Sequence, residues 1–508
     1  MLTRLRVGGF KNLVDVDVQF GPFTCIAGAN GVGKSNLFDA ILLLSALTER
    51  TLTEAFLAVR DESQRTGDIR GVFHHVGDVY DEEMRFEAEM ILPKRALDDL
   101  GQPVDASITL VRYVLRLGRR PVDSPHSDAG PVEVLEETLE PIRLGDAPAR
   151  VSFPVKRDWR DSVLKGKRTS PFISTERGLV RMHQDGRSGR LLTRPAAALP
   201  RTMLSTVQTG EYPTALLVRR EMLSWRLLQL ECTALRRPDE FTAPPRMGAD
   251  GSHLAATLYH LARRGATAAN GRPDEARATA VYAQVGNRLA ELLDDVREVT
   301  VARDETRERF TVLVRARDGT VHPARDLSDG TLRFLALAVT EFDRQSGGLI
   351  CLEEPENGIH PRRIPKMLEL LRDIATDPSL PCDEDNPLRQ VIVNTHSPAV
   401  FQQAPEDDVL VAELVEDLRA GPLSSGERGV RFRKLQFSCL EGTWRARKIK
   451  GHRITGKGNL LAYLNPSAAE RHRSSGRRRV MDRDDVQQML LPPATTASGH
   501  QFFRLLKE

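Results

Sequence analysis

The chain has 508 residues, 28% of them charged, with a formal net charge of +3. That length exceeds one ordinary core, so two or three subdomains are expected, and the near-balanced charge excludes a strong global field; contact with nucleic acid would need a local basic patch. No apolar run approaches the roughly 18 residues of a membrane helix, so no membrane contact is expected. The five cysteines (Cys25, Cys232, Cys351, Cys382, Cys439) form no C-x-x-C pair, which argues against zinc and against a disulfide framework. The chain opens on an alternating strand with no signal peptide, and a cytoplasmic setting is expected.

Leu5, Val7, Val14, Val16 and Val18 alternate and predict two or three strands within 1–27. Between them lies Gly9-Phe10-Lys11-Asn12-Leu13. Phe23–Ala27 reads as a buried strand and 34–58 as helix. Strands are predicted across 84–92 and 106–117. Residues 118–200, rich in Pro, Gly, Asp and Arg, read as irregular β structure. Helices are predicted over 211–232, 251–264 and 274–295, then strands over 296–301 and 310–314. The helical Leu332–Ala338, the apolar strand Gly348–Leu352, a helix over 363–375 and the apolar strand Gln390–Asn394 follow, with a further strand at 409–412. No a/d repeat persists between 118 and 320, so a long coiled coil is excluded, and no repeat of fixed period is found. From about 440 the chain is basic and turn-rich: Arg445, Arg447, Lys448, Lys450, Arg453 and Lys457, then Arg471, Arg473 and Arg477–Arg479.

Gly28-Ala29-Asn30-Gly31-Val32-Gly33-Lys34-Ser35 fits G-x-x-x-x-G-K-[ST] between a strand and a helix. Glycines let successive N–H groups turn inward on an anion. Lys34 can reach the β- and γ-phosphates, and the Ser35 hydroxyl can ligate Mg²⁺. Asn30, Gly31, Val32, Gly33, Lys34, Ser35 and Asn36 are therefore the expected ATP-binding residues. Glu353 and Glu354 end an apolar strand, where a carboxylate is costly unless it meets a cation or a reacting group. Glu353 is assigned to the metal with Ser35, and Glu354 to the attacking water. His396 follows a second apolar strand and can sense a γ-phosphate. Ser328-Asp329-Gly330 precede a helix, whose N-terminus is an anion site.

In this order the motifs resemble those of the ATP-binding-cassette ATPases. The phosphate loop looks like Walker A, Leu327–Thr331 like the signature, Leu349–Glu354 like Walker B with its catalytic glutamate, and His396 like the switch histidine. Glu353 stands where the family has aspartate. No glutamine-loop residue is identified. The long interval between Walker A and the signature resembles the SMC, RecF and OLD branch, as does Gly9–Asn12. Glu353–Pro361 and Asn394–Pro398 look like stand-alone bacterial AAA-15/AAA-21-type ATPases.

The resemblance implies an α/β fold: an ABC-type P-loop ATPase head with a mixed β-sheet lobe and an inserted α+β middle region. Residues 1–117 and 286–420 are assigned to the head, 118–285 to the insertion and 421–508 to a basic C-terminal extension. It also implies ATP and Mg²⁺ as cofactors, catalytic Glu354 and His396, and Ser328, Asp329 and Gly330 acting in trans in a homodimer or higher oligomer. Glu413, Glu416 and Asp417, and later Asp482, Asp484 and Asp485, do not form a Toprim pattern, so a separately encoded effector, a nuclease or toxin, is expected in an antiphage complex. The basic C-terminal region is a candidate for DNA. The alternatives are a RecF-like DNA-repair ATPase and a weakly hydrolysing scaffold.

Overall fold

The computed structural model describes residues 1–59, 69–121, 125–186, 191–264, 275–343, 347–419, 430–448 and 453–456. Everything else in the structure hangs on a seven-stranded sheet. Its order is Arg226–Leu228, Gly348–Glu353, Arg389–Thr395, Phe23–Ala27, Val409–Arg419, Val430–Leu440 and Arg453–Thr455. The first five strands run parallel, and only the pairing of Val409–Arg419 with Val430–Leu440 is antiparallel. Parallel strands covered on both faces carry near-continuous apolar runs. Phe23–Ala27 and Arg389–Thr395 are buried at every position.

Alternate side chains on these strands feed two separate cores. Ile26, Leu349, Cys351, Ile392 and Leu410 pack toward the helix Lys34–Ala46 and an eight-stranded antiparallel sheet. Cys25, Ile350, Leu352, Val391 and Val409 face a helical layer that includes Leu254–Arg263, Asp329–Phe342 and Ile364–Ile374. The antiparallel sheet is ordered Leu192–Pro195, Leu179–Met182, Ile173–Glu176, Val132–Pro141, Leu110–Arg119, Glu83–Ile91, Leu2–Gly8 and Val16–Gln19. A smaller sheet of Asp239–Glu240, Arg309–Ala316 and Val296–Asp304 edges the helical layer, with Val321–Pro323 beside it.

The α/β class is borne out. Among the described residues the longest helix is Glu275–Ala290, so none forms a long coiled coil. Several details differ from the sequence reading. The helix expected through 58 ends at Ala46, and after a turn Thr51 caps a new helix, Leu52–Leu57, with a Thr51/Glu54 capping box. The helix expected over 211–232 stops at Leu223, and Arg226–Leu228 becomes the edge strand of the central sheet. Residues 132–195, expected to be irregular, extend the antiparallel sheet by four strands. Residues 430–455, grouped in the sequence with the basic extension, supply two strands of the central sheet.

Arg445, expected in an open basic tail, is fully buried. It donates to the carbonyls of Gln19 and Asp407 and to Thr24 Oγ1, clamping the helix Trp444–Lys448 onto the sheet. Lys448 Nζ donates to Ser152 O at 2.8 Å. Lys450, Lys457, Arg471, Arg473, Arg477–Arg479, Asp482, Asp484 and Asp485 lie outside the described residues. Among the described residues no helix is long and apolar enough to cross a membrane.

Candidate nucleotide site

At the end of Phe23–Ala27 the chain turns through Gly28–Gly33 into the helix Lys34–Ala46. Gly33 is required twice over. Its φ is +96°, and an added Cβ would lie 2.1 Å from Asn12 Nδ2. Asn12 is the fastener: its Nδ2 donates to Val32 O at 3.0 Å and its Oδ1 accepts from Asn36 Nδ2 at 2.8 Å. Lys11, next to it, turns to Asp39 at 2.9 Å. Lys34 Nζ donates to the carbonyls of Gly28 and Ala29, both at 2.8 Å, and so spans the loop from inside. Burial pushes the Lys34 ammonium below the usual lysine range, while Glu354, Glu356 and Glu353 pull it back up. An anionic ligand would act in the same direction as these carboxylates.

A cavity of about 730 Å³ opens above the loop. Asn30, Gly31, Gly33, Lys34, Ser35 and Asn36 line one side, and Glu353, Glu354, Asn357 and Asn394 the other. Of the expected ATP-binding residues Asn30–Asn36, Val32 alone is absent from the lining; its side chain is in the core. Parallel pairing of Gly348–Glu353 with Arg389–Thr395 sets Glu353 opposite Asn394, which brings the two strand ends to the loop.

Glu354 is held from three directions. Its N–H donates to Asn394 O at 3.0 Å, its Oε1 lies 2.7 Å from His396 Nδ1, and its Oε2 accepts from Asn357 Nδ2 at 2.9 Å. Its φ of +47° is left-handed, a conformation that costs a residue with a Cβ about 1–2 kcal/mol. Such strain persists where the surroundings over-determine it, which is commonest at functional sites. Thr395 Oγ1 donates to the buried Glu356, whose carboxyl is raised chiefly by burial. Ser397 N–H donates back to Thr395 Oγ1 at 2.9 Å, so the turn carrying His396 is fixed as well.

Among the described residues no group of three or more His, Cys, Asp or Glu converges to hold a metal. Ser35 and Glu353 line the same cavity, and Gln229 Nε2 lies 3.5 Å from Glu353 Oε2. One hydroxyl and one carboxylate, completed by phosphate and water oxygens, suit Mg²⁺, which keeps several non-protein ligands.

Ser328, Asp329 and Gly330 do not line this cavity. Ser328 Oγ caps the helix Asp329–Phe342 by accepting from Thr331 N–H. Gly330 packs against the loop after Glu354; a Cβ there would lie 2.2 Å from Gly358 O. The helix meets the cavity one turn later, through Arg333, which donates to Leu230 O and Asn357 O.

Sequence reasoning missed Gln229, Arg333 and Asn357 in this site and did not assign Asn12 a role. Gln229 follows the edge strand Arg226–Leu228, and the signal for it was an apolar pair ending in a polar amide.

The family model described as "AAA domain, putative AbiEii toxin, Type IV TA system" (AAA_21) matches residues 23–113 and 238–401. The chain belongs to this family. The two matched stretches hold the phosphate loop and the segment from the signature to His396, so the resemblance read from the motifs is borne out. An OLD nuclease of Thermus scotoductus is 48% identical over 44 residues, and the match spans 9% of this chain and 8% of that protein. Among solved structures, an SMC head bound to the C-winged helix domain of ScpA is 13% identical, with a TM-score of 0.43 over 88% of this chain and 99% of that one. The SMC head domain from Thermotoga maritima is 12% identical, with a TM-score of 0.36 over 85% and 97%.

Proposed function

We propose that this AAA_21 chain is an ATP-hydrolysing switch that closes and opens as a dimer around two Mg²⁺·ATP. The observation that carries the reading is Glu354. It is strained, fixed on both carboxylate oxygens, and set across one cavity from Lys34 and Ser35. In this reading Lys34 and the loop N–H groups hold the phosphates. Ser35 and Glu353 hold Mg²⁺, which would supply charge neutralisation at the β- and γ-phosphates. Glu354 orients and deprotonates the attacking water, with His396 fixing its carboxylate. Gln229, beside Glu353, positions the water or the metal shell. Within the signature turn Ser328–Gly330 of one copy, Ser328 and Gly330 meet the γ-phosphate held by the other, so closure depends on the intact triphosphate.

We place the output on a separate polypeptide, a nuclease or toxin in an antiphage complex. The family description names a toxin of a toxin–antitoxin system and the short matched relative is a nuclease, which supports a toxin or nuclease as the output. On this chain, Asp417 pairs with Lys434 at 2.7 Å along an antiparallel hairpin instead of joining Glu413 and Glu416 in a metal centre. Direct DNA binding through the basic C-terminal region loses Arg445, which is buried.

The test is oligomeric state and phosphate release of the purified chain, with and without Mg²⁺·ATP. An ATP-dependent dimer with turnover is expected, and Lys34→Ala should lose both. A monomer that ignores ATP would refute the reading. Turnover equal in wild type and Glu354→Gln would leave a scaffold.

A further inference from the structure

The signature turn has an electrostatic problem that its own residues do not solve. A helix N-terminus attracts anions through its unpaired N–H groups and its dipole. Here the first helical residue is Asp329, whose exposed carboxylate puts a full negative charge at that end. An acidic residue in the first turn stabilises an isolated helix. A turn that must receive a γ-phosphate gains from the bare N–H groups and loses to the carboxylate.

Arg236 answers this charge. It follows the short helix Cys232–Leu235, and its Nη2 lies 2.5 Å from Asp329 Oδ1 and 3.0 Å from Leu327 O. One guanidinium nitrogen therefore bridges the two residues flanking Ser328. Through this bond Arg236 holds the Asp329 carboxyl below the usual carboxylate range, so the carboxylate is ionised at neutral pH and the pair is an ion pair. Cys232 packs on the same turn, its Sγ 4.0 Å from Asp329 O. The Arg236 side chain is 30% exposed beside the exposed Asp329 carboxylate, so the pair lies at the surface of the signature turn.

We propose that Arg236 is a positioning residue for the in-trans half of the site: by neutralising Asp329 it lets the signature turn accept the γ-phosphate carried by a second copy of this chain. The inference rests on the composite-site reading above and assigns a residue outside the motifs that define it. Arg236 acts through Asp329 and the turn, and it neither breaks nor makes a bond. The rival is a mechanical tie, in which the pair only fastens the Cys232–Leu235 helix to the signature helix.

Charge compensation separates the two. Arg236→Ala, Arg236→Lys, Asp329→Ser and the double variant Arg236→Ala/Asp329→Ser are made in the full chain. Their folding is checked by thermal melting, and the ATP-dependent dimer constant is measured by sedimentation. Arg236→Ala should weaken the dimer about tenfold or more, because like charges then face each other at both sites. Arg236→Lys should keep most of it. Asp329→Ser alone should dimerise at least as tightly as wild type. The double variant should return to within about threefold of wild type, and the Arg236→Ala defect should shrink as salt rises from about 0.05 to 0.5 M, where screening shortens to a few ångströms.

A double variant as weak as Arg236→Ala, or weaker, overturns the proposal in favour of the tie, because removing both partners leaves the helices unfastened. Wild-type dimerisation by Arg236→Ala overturns it as well. If Arg236→Ala does not fold, Asp329→Ser decides: a weakened dimer there refutes the proposal. If wild type itself forms no dimer with ATP, the composite-site reading fails and takes this inference with it.

Discussion

Replacing Glu354 by glutamine separates chemistry from architecture at the centre of the site. The amide is nearly isosteric, so its oxygen can still accept from Asn357 Nδ2, now at 2.9 Å, and the backbone bond to Asn394 O is untouched. The left-handed φ of +47° and its cost of about 1–2 kcal/mol are unchanged, because both residues carry a Cβ. Stability should therefore move by no more than about 1 kcal/mol. The proton acceptor is what disappears. A positioned general base contributes about 10²–10⁴ in rate, or roughly 3–5 kcal/mol of barrier. Single-turnover phosphate release should fall by at least about a hundredfold. Nucleotide affinity, read by a fluorescent ATP analogue, should stay within about threefold, since Lys34 and the loop are intact. The variant should accumulate as an ATP-bound dimer by native mass. Phosphate release within threefold of wild type would remove Glu354 from the chemistry, however well placed it is.

Three further outcomes are expected. Ser328→Arg should abolish the ATP-dependent dimer by sedimentation while monomeric ATP binding by calorimetry persists; a retained dimer counts against the in-trans assignment. Gly330→Ala should lower the melting temperature even without nucleotide, because its Cβ meets Gly358 O of the same chain, and an unchanged melt would contradict that packing. Glu137 supplies a pH signature. It is fully buried and accepts from Tyr113 Oη and the Met203 and Leu204 N–H groups, yet burial prevails and pushes its carboxyl up to about 7. A raised native pKa means more protons bound when folded, so its contribution is full below about 4.5 and lost as pH rises through about 7, by about 3 kcal/mol. Glu137→Gln should shrink the difference in melting temperature between pH 5 and pH 8, and an equally steep dependence in the variant would refute the assignment.

What the sequence disclosed was local. The phosphate loop, the two apolar strands with their polar ends and the signature helix each announce themselves within ten or so residues, because a motif and its flanking period are read together. What it concealed depends on distant partners. Arg226–Leu228 continues a helical pattern by composition, and only parallel pairing with Ile350–Leu352 makes it a strand. Gln229 was hidden for the same reason, since the carboxylate it faces is 124 residues away. In Val132–Pro141 a bulge between Val134 and Glu136 breaks the alternation, and the buried Glu137 reads as an exposed acid. Arg445 looked like one more cation of a basic run; its burial follows from carbonyls more than 400 residues earlier and nearly 40 before it.

The strand order of the central sheet also bears on how a ribosome delivers this molecule. Phe23–Ala27 is made long before its two neighbours in the sheet, Arg389–Thr395 and Val409–Arg419. At about 5–20 residues per second, the strand that carries the phosphate loop waits roughly 20–80 s for its second neighbour to be made. The antiparallel sheet and the helix Lys34–Ala46 can assemble on each other in that interval, because their contacts are drawn mostly from the first two hundred residues. The nascent chain thus carries an unpaired apolar edge through that interval, and a truncated product ending before Arg389 would keep that edge permanently.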